Sequence, residues 1–152
     1  MGKSYVSIRS HSESPSQNPR LWMHDTDACI LSFMIGLELL TDVTLDDWAA
    51  SAGRNCLHAA VVAATGAIDP ELYEHNQSIE RLRTIHGALL RVLDKLHAYG
   101  NSFPGRYFLE HNMLLPGEPV PPDLPTEKLL LSTEALKAEV EHLMAERFNV
   151  VL

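Results

Sequence analysis

Three histidines, His75, His86 and His97, recur eleven residues apart. Eleven residues make close to three α-helical turns, so on one helix they fall near a single stripe. Neighbours on that stripe stand ~16 Å apart along the axis. Zinc takes its nitrogen ligands at ~2 Å, so the three cannot share one ion within a chain. They can instead meet groups on another helix or across a dimer. Imidazoles that protonate near pH 6 would then make apolar packing sensitive to pH or metal. Without such chemistry, the same residues are the edge of a packing seam with satisfied hydrogen bonds.

Glu139 and His142 form one Glu-x-x-His on a helical pattern, and Asp94 with His97 has the same spacing with Asp for Glu. Di-iron bundles use two complete pairs and two further glutamates, so a metal-binding bundle requires these four residues to converge. Cys56 and His58 are two apart on a helix and point ~200° from one another, which rules out a nucleophile–base pair. The sequence has no nucleophile elbow, phosphate-binding glycine loop, dinucleotide fingerprint or His-Glu-x-x-His. Asp42, Asp46 and Asp47 read as a helix cap with an acidic first turn. The expectation is a non-enzymatic protein with no catalytic residues, no cofactor and no resident metal.

The stretch Thr44–Gly53, "TLDDWAASAG", joins a cap, an acidic first turn, a small-residue face and a glycine. On these residues it is similar to the opening of the DNA-binding domain of AraC-type regulators. That resemblance implies a capped helix, a turn at Gly53, and a recognition helix over "RNCLHAAVVAATG". It covers only this segment, which is shorter than the family's pattern. It also lacks the basic face: Arg54 is the only Lys or Arg between residues 41 and 70. Helix-turn-helix proteins put polar and basic side chains on bases and phosphates, where this segment has Ala and Val. A DNA-binding regulator therefore stands as the alternative reading. Its basic patch would have to be assembled from Arg20, Arg54, Arg81, Arg83 and Arg91.

Charge agrees with that ordering. The 152 residues carry a net charge of −8. Residues 1–24 are net +2 and residues 25–70 net −6. Duplex affinity comes largely from Lys and Arg neutralising phosphates, so nucleic acid is a poor partner for this chain. A protein with a basic surface is a better one.

The elements that must position these groups are helical. The first should run from Thr26 to Leu40 behind Asp25 as N-cap, and it leaves almost no polar face, as a buried helix does. The second starts at Thr44, carries seven alanines between Ala49 and Ala64, and stops near Gly66; Gly53 is a possible break. Its slimness invites close approach by a neighbour. The third has Asp69 as cap and Pro70 in its first position, and runs to Tyr99 before Gly100. Its heptad places Leu72, Ile79, His86 and Leu93 on one seam row and His75, Leu82, Leu89 and Leu96 on the other, widened by Ile85 and Val92. Phe33, Met34 and Leu37 should lie opposite this seam.

Residues 101–125 hold six of the nine prolines and read as a connection, with "RYFLEHNMLL" packing as a helical turn. A last helix starts at Thr126 or Ser132 and ends near Phe148, burying Leu136, Val140, Leu143, Met144 and Phe148. Residues 1–23, with "SHSESPSQNP", read as a flexible arm in which "YVSIRS" alternates like a strand. The C-terminal "NVVL" would dock or pair with that strand.

The longest nearly apolar run, Ala28–Leu40, has 13 residues, short of the ~20 a membrane span needs. The N-terminus shows no secretory h-region, and Cys29 and Cys56 fit buried free thiols. The expected protein is all-α, with residues 24–152 as one domain, an irregular bundle of about four main helices and a cytoplasmic location. Its expected role is an acidic helical protein-interaction module of the adaptor, chaperone or inhibitor type, a homodimer whose interface draws on Leu72, Ile79, Leu82, Leu89, Leu93, Leu96 and Trp48.

Overall fold

The apolar run after Asp25 forms α1, Asp25–Thr41, and it is buried nearly all round. The computed structural model describes residues 3–6, 21–41, 47–58, 60 and 78–150. Among these it has five helices and two short two-stranded sheets. β1 (Lys3–Val6) pairs antiparallel with β2 (Leu21–His24), which leads straight into α1. The arm expected over residues 1–23 thus contributes both strands of a pair.

α2, Asp47–His58, packs along α1. Small residues make this possible. A Cβ on Gly36 would sit 2.9 Å from the carbonyl oxygen of Gly53, and one on Gly53 would sit 3.0 Å from that of Gly36. Beside this contact the Ser32 hydroxyl donates to the Cys56 carbonyl at 2.7 Å, so α1 and α2 are tied through a buried backbone acceptor. Ala49 and Ala52 complete the slim face. Gly53 lies inside one unbroken helix, so the turn that the AraC-type resemblance implies there is not formed. The Thr44 cap, Asp42 and Asp46, and the expected end near Gly66 lie outside the described residues.

α3 covers Ile79–Ala98. The helix expected to run unbroken from Asp69 and Pro70 is interrupted: Ser78 is extended and its side chain accepts from the Arg81 N–H at 3.1 Å, so α3 begins there, while Asp69 and Pro70 lie outside the described residues. A capping serine satisfies an otherwise orphaned first-turn donor, and it does so inside the periodic pattern. The far end is as expected. Gly100, at φ +72°, terminates the helix in the left-handed region.

β3 (Ser102–Phe103) follows, then the single turn α4 (Tyr107–Glu110), β4 (Leu124–Pro125) and α5 (Thr126–Phe148). β3 pairs antiparallel with β4, and the Thr126 N–H reaches the Asn101 carbonyl at 3.2 Å. The proline-rich connection therefore leaves α3 and returns to it as a closed loop. Gly105 seats the return. Its N–H donates to Asp123 at 2.9 Å, and a Cβ there would fall 1.8 Å from the Pro121 carbonyl oxygen. Of the two candidate starts for the last helix, Thr126 is the one used. Asn149, at φ 55°, ends it.

The result is an all-α bundle in which α1 packs on α2 and α3, and α3 lies antiparallel along α5. Leu82, Leu89 and Leu96 of α3 share one core with Ile30, Leu31 and Ile35 of α1 and Leu129, Leu136 and Val140 of α5. Each such aliphatic side chain contributes about 1.5–3 kcal/mol by leaving water. Among the described residues, no helix is long and apolar enough to cross a membrane.

Candidate functional site

Glu38 is the lone acid in the apolar run of α1, and it is buried at 5% exposure. Two cations one turn apart on α3 meet it: Arg91 Nε donates to Oε2 at 2.8 Å and Lys95 Nζ donates to Oε1. Burial by itself raises a carboxyl pKa, but these two hydrogen-bonded charges outweigh it and hold Glu38 below the ordinary glutamate range. Two cations share one carboxylate, so the cluster keeps a net positive charge.

Lys95 also lines a pocket of about 320 Å³ with Met34, Leu37, Ala98, Tyr99, Tyr107 and His111. The aromatic wall is ordered by contacts within the closed loop. His111 stacks on Tyr107 with centroids 3.9 Å apart, and its edge meets Phe33 at 5.5 Å. Its Nδ1–H donates to the Tyr107 carbonyl at 2.9 Å, which assigns the tautomer because a carbonyl can only accept. Tyr107 touches Phe103 in turn, at 4.8 Å between centroids. Burial, with Tyr99 and the Glu38 carboxylate nearby, pushes the Tyr107 phenol well above its usual pKa and keeps it neutral.

The loop beyond α4 holds the second notable arrangement. Leu115, Pro116, Gly117 and Glu118 form a β-turn: the Glu118 N–H donates to the Leu115 carbonyl at 3.0 Å, and Gly117 has φ +81°. Pro then Gly in the two central positions is the sequence requirement of a type II turn. The Glu118 carboxylate accepts from the Leu115 N–H at 2.8 Å, closing the turn a second time. Leu115 is nevertheless 72% exposed; Leu109 on α4 is 57% exposed, and Val120 further along the loop is 47% exposed.

The residues singled out by spacing do not converge. Leu82, Leu89, Leu93 and Leu96 are buried inside the chain and Ile79 packs partly buried against the core; Leu72 lies outside the described residues. Trp48 is buried under Arg81, whose guanidinium carbon is 5.3 Å from the ring centroid. His75 also lies outside the described residues, and His97 is exposed on α3. His86 faces α5, with Nε2 3.8 Å from Glu141 Oε2 and no hydrogen-bond partner.

The two Glu-x-x-His-type pairs are axially separated. His86 opposite Glu141 and Asn101 opposite Thr126 define the antiparallel register. Glu139 and His142 then stand roughly 9–18 Å along the axis from Asp94 and His97. His142 is paired with Glu146 at 3.2 Å. Among the described residues no group of three His, Cys, Asp or Glu side chains could hold a metal ion. Of the arginines a DNA-binding face would need, Arg91 is bound to Glu38 and Arg81 covers Trp48. Arg54 and Arg83 are exposed, and Arg20 is outside the described residues.

Spacing within helices missed Glu38, the Tyr107–His111 wall and the Leu115 turn. Each left a signal: a single acid in an apolar run, aromatic or imidazole rings at every fourth residue from Tyr99 to His111, and the tetrad Leu-Pro-Gly-Glu. Comparison with protein-family models, curated proteins and solved structures gave no match.

Proposed function

We propose that this chain is a non-enzymatic, acidic helical module of the cytoplasm that binds a protein partner through the loop between α4 and β4. The observation that carries the reading is Leu115, an apolar side chain held in the open by a doubly hydrogen-bonded turn. An exposed leucine on a mobile loop means little; a leucine on a fixed turn costs less entropy to dock. The acidic residues Glu110 and Glu118 flank Leu109 and Leu115, which fits a partner with apolar pockets and a basic rim. The net charge of −8 favours the same sign of partner.

Self-association belongs to this reading. The leucine seam of α3 is covered by the chain's own helices, so the surface offered to a second copy is the loop together with Leu90 and Leu131 on the outer faces of α3 and α5. The test is quantitative affinity purification of the wild type beside Leu109→Ser/Leu115→Ser, with sedimentation velocity on both. A set of proteins, or a dimer, lost selectively in the folded double variant supports the proposal. Identical enrichment profiles and identical sedimentation would overturn it.

A further inference from the structure

The geometry points to a second binding site: the pocket between α1, the end of α3 and α4 takes a small organic acid, a carboxylate on a compact aromatic or branched apolar body. Its volume of about 320 Å³ is at the low end of the ~300–1,000 Å³ that small-molecule sites occupy. That volume fits one small body. Met34, Leu37 and Ala98 give it apolar walls, and Tyr99, Tyr107 and His111 complete the lining with Lys95.

Charge selects the polar end of the ligand. Lys95 is the cation in the lining, and its ammonium has three N–H donors, of which Glu38 takes one. Because Arg91 also neutralises Glu38, a ligand carboxylate meets a cluster with one positive charge to spare and not a closed ion pair. The opposite wall is fixed before any ligand arrives. His111 is held by its hydrogen bond to the Tyr107 carbonyl, by the stack on Tyr107 and by the edge contact with Phe33. A wall already ordered lowers the entropic cost of binding. None of these residues lies in the Leu115 turn, so the site stands whether or not that turn docks a partner.

The probe is 2-naphthoate, with 2-naphthamide as its neutral counterpart, titrated into the full-length protein and followed by amide NMR shifts and calorimetry. Saturable binding of one naphthoate is expected, with shifts centred on Lys95, Tyr107 and His111, and naphthamide weaker by at least about tenfold, the order of one charge-assisted hydrogen bond. Ala98→Trp, at an exposed position of the lining, fills the pocket without touching the charged cluster and should abolish binding. Lys95→Gln should bring naphthoate down to the naphthamide level while Arg91 still holds Glu38. Circular dichroism confirms that both variants are folded, and Ala98→Leu serves as a smaller block should the tryptophan variant unfold. Absence of saturable binding, equal binding of the two probes, or undiminished binding to folded Ala98→Trp would overturn the assignment.

Discussion

Leu115 and Glu118 bond each other twice: the backbone N–H of Glu118 reaches the Leu115 carbonyl at 3.0 Å, and the Leu115 N–H reaches the Glu118 carboxylate at 2.8 Å. The turn between them needs Gly117 at φ +81°. No atom would crowd a Cβ there, so the demand for glycine is purely one of backbone conformation. Gly117→Ala should cost ~1–2 kcal/mol of turn stability. Because the loop is peripheral, thermal melting should move little while partner capture falls. A large drop in melting temperature with capture unchanged would contradict this division between fold and function.

Gly36 and Gly53 let the backbones of α1 and α2 approach closely. On propensity alone, alanine in a helix is preferred over glycine by ~1 kcal/mol. Here the added carbon meets a carbonyl oxygen at 2.9–3.0 Å, and backbone cannot swing aside as a side-chain tip can. Overpacking of this kind costs ~1–3 kcal/mol, so Gly36→Ala and Gly53→Ala should each destabilise in spite of the propensity gain. Urea denaturation with an unchanged slope is the measurement.

Glu38 gives the fold a sensitivity to acid. Its folded pKa is lowered, so its stabilisation is fully present above the ordinary glutamate value of 4.5 and is lost as pH falls through the lower folded value. Glu38→Gln should remove about 1–3 kcal/mol at neutral pH, a charge-assisted network being exchanged for a neutral amide. Arg91 and Lys95 are half exposed and can turn to water, which keeps the loss below that of a fully buried pair. The difference between variant and wild type should shrink as pH falls below 4.5. A constant difference from pH 7 to pH 3 would show that Glu38 acts by packing alone.

His86 sets a contrast. Its Nε2 is buried without a hydrogen-bond partner, 3.8 Å from Glu141. An apolar side chain of similar size removes a buried polar atom that has no hydrogen bond and gives up only the long contact to Glu141, so His86→Leu should be neutral or stabilising by up to ~1 kcal/mol. Clear destabilisation in calorimetry would mean that the histidine carries an interaction with its surroundings that its position does not reveal.

The helices were legible because their signals are local. The all-round apolar run gave α1, and Gly100 gave the end of α3. Thr126 and Ser132 competed as starts for α5 because both are good capping types; the pairing of β3 with β4, a contact across the closed loop, favours Thr126. Ser78 was hidden for the opposite reason, since a heptad stripe runs through it without a break in hydrophobic period. The pocket was least legible. Glu38 and Arg91 are 53 residues apart, and only the α1–α3 packing brings them to 2.8 Å. Tyr107 and His111 carry a spacing of four, but the strand and turn before them break any helical reading of the series from Tyr99.

Leu115 is the proposed point of contact with the partner. A photo-crosslinking amino acid placed at position 115 tests it most directly, with the same group at exposed Arg83 as control. A discrete adduct in cells is expected at position 115, lost when Gly117→Ala is added, with none of that mass at position 83. No adduct at position 115, or the same adducts at both positions, would contradict it.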